Sequence, residues 1–165
     1  MTIAFDYPLA AEISRNVDAA LAEDVGTGDL TASLVPGERQ VKATVICREA
    51  GVLCGRAWFD ECVQRCDPTA RVTWHAADGD RIAANQLLCE IDGNGRALLT
   101  AERSALNFLQ LLSAVASKAR IYADVIAGTK AQVVDTRKTL PGLRIAQKYA
   151  VRAGGGGNHR LALWD

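Results

Sequence analysis

Two clusters of basic residues near the C-terminal end have the side chains needed to bind a small, multiply charged anion. The first is DTRKTLPG at residues 135–142, and the second is GGGGNHR at residues 154–160. Each places fixed cations beside residues that let the backbone turn sharply. The glycine run lacks the Gly-Lys-Ser/Thr ending of a P-loop, so it does not indicate a nucleotide site of that type.

The charge distribution supports an anion site at this end of the chain. The whole chain is neutral, with 19 basic and 19 acidic residues, whereas residues 129–165 carry seven Lys/Arg and only two acids. A neutral total argues against a nucleic-acid-binding protein, and a local excess of cations favours a focused anion site. Arg144, Lys148 and Arg152 recur every four residues, which instead predicts an exposed helix face.

Length and composition indicate a globular protein with one domain, or one domain and part of another. The chain has 165 residues, of which 49% are hydrophobic. No apolar run approaches the roughly 20 residues of a membrane span. The segment that begins at Met1 lacks the basic start and apolar stretch of a signal peptide.

The cysteines predict reduced, buried thiols and a cytoplasmic protein. Their number is odd and they lie in apolar segments, at Cys47, Cys54, Cys62, Cys66 and Cys89. Cys62 and Cys66 have helical spacing, but without a second pair or a nearby histidine they do not indicate a metal site.

The first part of the chain is predicted to be a mixed α+β unit. Periodicity predicts two helices, over residues 8–24 and 56–66, and four short strands, over residues 40–47, 52–54, 71–74 and 86–91. A long apolar stripe then predicts a helix over residues 98–127, with a bend or break near Ser113. Asn85 follows the turn after residue 80, where we expect a glycine; asparagine also tolerates a positive φ.

The last part is predicted to form a βαβ unit, with strands over residues 131–134 and 160–163. The helix between them is expected to start at Pro141 and to end at Gly154. Ligands of such units bind at the carboxyl ends of the strands. The first basic cluster lies just past such an end. The second stands at the beginning of the next strand, so topology alone does not bring the two together.

These two clusters and several other motifs resemble those of the quinolinate phosphoribosyltransferase family. The other motifs are AEDVGTGDLT at residues 22–31, DGD at residues 78–80, ERSALNFLQ at residues 102–110 and KYAVR at residues 148–152. They occur in the order and at the spacing of the family over nearly the whole chain. No single motif would be specific, but together they give a strong resemblance.

The resemblance implies an α/β fold: an N-terminal α/β sandwich domain over residues 1–112, followed by the first units of an incomplete α/β barrel over residues 113–165. It also implies a homodimer in which each N-terminal domain completes the partner's barrel site. The implied reaction joins quinolinate to phosphoribosyl pyrophosphate with Mg²⁺. It releases CO₂ and pyrophosphate and gives nicotinate mononucleotide for NAD synthesis.

The resemblance further implies a substrate pocket formed by Arg103, Thr136, Arg137, Lys138, His159 and Arg160. Arg103 would reach the quinolinate carboxylates from the neighbouring subunit. Arg137 would bind a carboxylate and Lys138 would face the phosphates, and these two residues are the expected catalytic groups together with His159. Taken singly, the cations are equally compatible with exposed helix or loop positions, and His159 with a core histidine bonded to backbone.

The sequence departs from the family where it stops at Asp165. The family continues with a further lysine motif and with the carboxylates that hold Mg²⁺ and the ribose, so we expect this chain to be an inactive fragment. Two alternatives remain open: a paralogous, molybdenum-associated phosphoribosyltransferase-like protein, and a non-catalytic fragment that dimerises. A reading frame that continues beyond Asp165 into further lysine and acidic motifs would favour the enzyme.

Overall fold

The fold was analysed in a computed structural model that describes residues 5–164. Residues 1–4 and Asp165, on which the expectations about a signal peptide and the chain end depend, lie outside the described residues. The elements follow in the order α1 Leu9–Val25, a 3₁₀ turn Ala32–Leu34, β1 Gln40–Ile46, β2 Gly51–Val52, α2 Arg56–Cys66, β3 Arg71–Trp74, β4 Arg81–Ile82, β5 Leu87–Asn94, α3 Gly95–Val125 and α4 Arg144–Ala153.

A small antiparallel sheet forms the centre of the first half, with strand order β1-β5-β3. Its register pairs Gln40 of β1 with Asn94 of β5, and Arg71 of β3 with Asp92 of β5. Strands β2 and β4 form a separate two-stranded ribbon. Because side chains alternate along a strand, β1 turns one face towards the core and the other towards solvent.

Helices α1 and α2 form as their apolar periodicity predicts. Val17 of α1 and Trp58, Cys62 and Val63 of α2 are all buried in one core with the sheet. The indole N–H of Trp58 donates to Oδ1 of the buried Asn16 at 3.0 Å. The donor of this buried ring is therefore satisfied, and the bond joins the two helices.

Helix α3 runs without interruption for 31 residues, and the predicted break near Ser113 is wrong. Asn94 caps the start of the helix, because its side chain accepts from the backbone N–H groups of Arg96 and Ala97. The hydroxyl of Ser113 bonds to both backbone groups of Cys54, at 3.0 and 3.1 Å. Because that hydroxyl is engaged outside its own helix, it does not compete with the helical hydrogen bonds.

The turn that contains Asn85 has the predicted backbone conformation. Asn85 has φ of 63°, and its N–H donates to the carbonyl of Cys47 at 2.7 Å. The cysteines within the described residues are free. Burial raises the pKa of Cys62 to about 12, so this thiol stays protonated at neutral pH.

The predicted strands over residues 131–134 and 160–163 do not form. A single parallel bridge joins Val134 to Gly157 instead, through hydrogen bonds from Gly157 to Val133 (2.7 Å) and from Asp135 to Gly157 (3.1 Å). One bridged pair leaves most backbone groups of both segments without a ladder partner, so neither extends into a strand. Pairing also begins at Gly157, three residues before the predicted start.

Helix α4 begins at Arg144 rather than at Pro141. Pro141 and Gly142 instead form a turn closed by a hydrogen bond from Leu143 to the carbonyl of Leu140 at 3.1 Å. Gly142 has φ of +77°, a conformation that favours glycine. The predicted end is confirmed, because Gly154 caps the helix and donates to the carbonyl of Ala150 at 2.9 Å.

Candidate active site

The two basic clusters meet at the side chain of Asp135. Its Oδ1 accepts a hydrogen bond from the backbone N–H of His159 at 2.8 Å, and its Oδ2 accepts one from the amide group of Asn158 at 2.7 Å. The bridge joins Val134 to Gly157, the residues that come directly before Asp135 and Asn158 in the sequence. Because parallel segments emerge from a bridge on the same side, Thr136 and His159 follow it at the same edge.

This register corrects the sequence-based expectation for the second cluster. His159 and Arg160 were expected at the start of a strand, where topology alone does not bring them to the first cluster. They instead follow the paired residue Gly157 by two and three positions. The structure therefore brings the backbone of the second cluster beside that of the first, which topology alone did not predict.

Lys148 joins this arrangement from helix α4, and its predicted exposure is wrong. Its side chain is fully buried, with its ammonium 2.5 Å from Oδ1 of Asp135 and 2.8 Å from the carbonyl of His159. Arg144 and Arg152, at four-residue spacing from it, are half-buried and exposed respectively. Helix α4 packs one face against the bridged segments and another face, which contains Ala146 and Ala150, in the core. Of these three cations, Lys148 is the one that bonds to Asp135.

The loop that carries the first cluster is anchored at its far end as well. The N–H of Leu140 donates to Oε1 of Gln147 at 2.8 Å. The carbonyl of Gly142 accepts from Arg15 at 2.6 Å and from Asn16 at 3.2 Å, both on α1. The loop thus lies between two fixed points, Asp135 and Gly142.

Between these points the predicted site residues are available to a ligand. Thr136 and Lys138 are exposed, and the hydroxyl of Thr136 accepts from the N–H of Lys138 at 3.0 Å, which tightens the turn. Arg137 is half-buried, and its Nε is buried with no hydrogen-bond partner among the described residues. His159 and Arg160 are exposed. The side chains of both clusters therefore start from backbone segments at the same edge.

Arg103 lies on α3 and is exposed. Within residues 5–164, no hydrogen bond or ion pair joins it to either basic cluster. Its neighbours Ser104 and Asn107 line a cavity of about 350 Å³ together with Pro141 and Gly142. A larger apolar groove of about 720 Å³ between β1 and α3 has none of the predicted site residues in its lining, so it supports no role in the site.

A partly buried polar contact fixes α4 against the first half of the chain. The hydroxyl of Tyr149 donates to Oδ2 of Asp78 at 2.9 Å. The ring of Tyr149 packs against that of Trp58, with 5.6 Å between the ring centroids. Desolvation by burial raises the pKa of Asp78 above its usual value, although bonds from Tyr149 and Arg56 oppose that shift. Burial, and then the charge of Asp78, raise the pKa of Tyr149. The phenol therefore stays protonated as the donor.

Two family models together cover most of the chain. The N-terminal domain of quinolinate phosphoribosyl transferase matches residues 29–113, and the C-terminal domain of the same enzyme matches residues 115–165. The chain belongs to the quinolinate phosphoribosyltransferase family. The motifs that carried the sequence resemblance lie within these two matched ranges, except that the motif at residues 22–31 begins before the first of them.

Individual relatives of the chain agree with the family models. A probable nicotinate-nucleotide pyrophosphorylase [carboxylating] of Bacillus subtilis is 40% identical over 93% of the chain and 53% of its own length. A chloroplastic relative of that name from Arabidopsis thaliana is 39% identical over 93% of the chain and 44% of its own length. The chain therefore spans about half the length of the curated relatives that it matches.

A solved structure extends the agreement to the fold. The nicotinate-nucleotide pyrophosphorylase of Francisella tularensis matches 97% of this chain and 57% of its own with a TM-score of 0.92 and 42% identity. The fold is therefore the predicted mixed α/β class, an N-terminal domain followed by the start of the barrel domain. The predicted division between residues 112 and 113 falls inside α3 and stays a prediction.

Sequence analysis missed the roles of Asp135, Lys148 and Asn158, although all three lie within motifs that it singled out. Asp135 is the only acid within residues 129–164, among seven cations. An acid in such surroundings is a signal for a buried pair. Which cation it pairs with depends on the bridge at Gly157, and no local pattern in the chain indicates that register.

Proposed function

We propose that the full-length protein transfers a phosphoribosyl group from phosphoribosyl pyrophosphate to quinolinate and releases CO₂ and pyrophosphate. The product, nicotinate mononucleotide, supplies NAD synthesis. The observation that carries this proposal is the meeting of the two basic clusters at Asp135 within a chain of this family. That meeting gathers several cations at the edge where a barrel of this type binds its ligand.

The charge and shape of quinolinate suit these cations. Its two adjacent carboxylates need planar, bidentate donors, which arginine supplies. We assign one carboxylate to Arg137, whose buried Nε has no partner among the described residues. His159 and Arg160 are exposed beside it and complete the carboxylate-binding group. Thr136 shapes the turn that presents Arg137.

We assign the phosphates of the second substrate to Lys138. It is exposed in the same loop, and an ammonium binds phosphate as a compact point charge. In the reaction, the quinolinate nitrogen bonds to the anomeric carbon of the ribose while the bond from that carbon to pyrophosphate breaks. Positive charge develops on the ribose and negative charge on the leaving group, so positioned cations lower the barrier mainly by electrostatic stabilisation.

Decarboxylation completes the proposed reaction. The carbon–carbon bond to the carboxylate next to the ring nitrogen breaks, its electron pair stays on the ring carbon, and that carbon takes up a proton. Positive charge on the alkylated nitrogen and on nearby cations stabilises the electron pair. We assign Arg137, Lys138 and His159 as the catalytic groups of this chain.

Mg²⁺ enters the proposal only together with phosphoribosyl pyrophosphate. Residues 5–164 contain no group of three potential acidic, cysteine or histidine ligands. The carboxylate beside the basic clusters, Asp135, already accepts from Lys148, Asn158 and His159. The described residues therefore do not fit a magnesium site, and we assign no step to the metal.

We further propose that the protein is a cytoplasmic homodimer in which Arg103 serves the partner's site. Arg103 is exposed on α3 and unconnected to the clusters of its own chain, as a residue that acts across an interface would be. Within residues 5–164, none of the helices has the length and apolar composition needed to cross a membrane. The Arabidopsis relative is named chloroplastic, so imaging of a tagged protein is the test of location.

The activity is tested by incubating the purified full-length gene product with Mg²⁺, phosphoribosyl pyrophosphate and quinolinate. We expect nicotinate mononucleotide and CO₂ in equal amounts. Parallel reactions with nicotinate and with other pyridine carboxylates distinguish this activity from that of a molybdenum-associated paralogue. Turnover of another pyridine acid but not of quinolinate would reject the assigned substrate, and binding without turnover of any of them would favour a non-catalytic protein.

A further inference from the structure

The backbone of His159 is held on both sides by charged side chains that form a buried pair. Its N–H donates to Asp135 at 2.8 Å, and its carbonyl accepts from Lys148 at 2.8 Å. Asp135 and Lys148 are themselves 2.5 Å apart. Fixing both backbone polar groups of a residue fixes the direction of its Cα–Cβ bond, while the imidazole of His159 remains exposed.

Asn158 closes the same network from the preceding position. Its amide group donates to Oδ2 of Asp135 at 2.7 Å and to the backbone carbonyl of Lys148 at 2.9 Å. Asp135 therefore accepts from three donors, and the ammonium of Lys148 has two acceptors. The exposed fractions of the two charged side chains are 5% and 0% respectively, so water does not compete for these bonds.

A contact that only stabilised the fold would not need to be a buried ion pair. A fully buried lysine is rare, and an apolar pair of similar volume is often as stable as a buried ion pair. The rest of α4 packs in the core with alanines, including Ala146, Ala150 and Ala153. The packing alone does not require a charge at position 148, whereas holding the carbonyl of His159 requires a donor there.

We propose that Lys148 and Asp135 are positioning residues that orient His159 towards the quinolinate-binding edge. Neither touches substrate; they act through the backbone of His159. Asp135 also starts the loop that carries Arg137. The Asp135–Lys148 pair therefore sets the spacing between Arg137 and His159, which are both assigned to the quinolinate carboxylates. The functional part of this inference rests on the proposed function.

The test uses three variants of the full-length protein: Lys148→Met, the double variant Asp135→Leu with Lys148→Met, which replaces the ion pair with an apolar pair, and Lys130→Met. The single variant leaves Asp135 buried without its cation, so we expect a lower melting temperature. The double variant removes the buried charges and should regain the melting temperature of the unmodified protein. Lys130 is exposed, so its variant controls for the loss of one lysine.

The kinetic result separates positioning from stability. Misplacement of a reacting group by about 1 Å costs on the order of 100-fold in rate. In the double variant we expect kcat/KM for quinolinate to stay roughly 10- to 100-fold low, with a raised KM for quinolinate and little change in KM for phosphoribosyl pyrophosphate. Partial unfolding would lower kcat and leave both KM values unchanged. Recovery of kcat/KM together with stability would overturn the proposal.

A second readout does not depend on activity. The amide proton of His159 should exchange slowly with deuterated water in the unmodified protein and at least tenfold faster in the double variant. Equal exchange rates would overturn the positioning role, even if the variants were poor enzymes. If the unmodified protein does not convert quinolinate, the proposed function fails, and the exchange measurement still decides whether the pair holds His159.

Discussion

Arg137 and Lys138 are neighbours in the sequence but have different surroundings. The Nε of Arg137 is buried without a partner among the described residues, whereas Lys138 is exposed. A buried donor without an acceptor destabilises the unliganded protein. A carboxylate that accepts from it would remove that cost, and this is why we assign carboxylate binding to Arg137 and phosphate binding to Lys138.

We expect Arg137→Lys in the full-length protein to weaken quinolinate binding much more than Lys138→Arg does. Lysine keeps the charge but loses the planar fork, whereas arginine can replace a point charge facing phosphate. Loss of one charge-assisted contact costs about 1.5–3 kcal/mol, or roughly ten- to a hundredfold in affinity. Calorimetric titration of quinolinate into both variants measures this, and equal losses would mean that the two roles are assigned wrongly.

The environment of Asp78 predicts how the stability of the folded protein depends on pH. Burial raises its pKa in the folded protein, so the ionised carboxylate is less favourable in the folded than in the unfolded state. The contribution of Asp78 to stability is therefore full below its unfolded pKa and is lost as pH rises through the raised folded pKa. An asparagine keeps hydrogen-bonding atoms for Tyr149 and Arg56 without the charge.

We expect Asp78→Asn to gain stability relative to the unmodified protein as pH rises from about 4 to 7, and the difference to level off above the folded pKa. Urea unfolding of both proteins at several pH values measures the difference. The exposed Asp92 allows a matched Asp92→Asn control. A difference between the Asp78 proteins that is constant across this range, or falls with pH, would contradict the assigned burial effect.

At the scale of elements, the packing of α4 against α3 depends on one glycine. A Cβ at Gly154 would lie 2.3 Å from the carbonyl oxygen of Ala116 and 2.6 Å from the Cβ of Ala119. The backbone of Gly154 has ordinary helical angles, with φ of −73°. Its requirement for glycine is therefore steric and comes from the close approach of the two helices.

We expect Gly154→Ala to destabilise the protein by about 1–3 kcal/mol, the usual cost of overpacking a close contact. Denaturant unfolding measures the change. Gly37→Ala is a suitable control because its Cβ would meet only the Arg96 side chain at 4.0 Å. If both changes had the same small effect, α3 and α4 would not be as close as the structure has them.

Elements with strong local patterns were predictable from the sequence. Helices α1 and α2 match their predicted bounds within one residue at each end, because a 3.6-residue apolar period is a local property. The segments around Val134 and Gly157 were not predictable, since a strand exists only if partners are present on its edges. The burial of Lys148 was missed for the same reason: it depends on Asp135, which is distant in sequence.

At the scale of the whole molecule, no hydrogen bond or ion pair within residues 5–164 joins Arg103 to the two basic clusters. The residue is exposed on α3, while the other predicted substrate-binding residues gather around Asp135. In a two-fold dimer, a residue that serves the partner's site does so twice. The proposed assembly therefore accounts for an arginine that is in a matched motif and has no partner in its own chain's clusters.

We expect Arg103→Ala and Arg137→Ala proteins, each inactive alone, to regain activity when mixed. About half of the dimers are then mixed, and each has one intact site, so about a quarter of the original activity should return. Size-exclusion chromatography with two differently tagged proteins shows whether subunits exchange. Exchange without recovery of activity would mean that Arg103 does not act across the interface.

Helix α3 has a consequence for how the molecule can move. The two matched domains meet at residue 114, within a single helix of 31 residues, about 46 Å long at 1.5 Å per residue. Leu112 and Ala116, on either side of that point, are fully buried. A rotation of one half of the chain against the other at this point would therefore have to bend a packed helix.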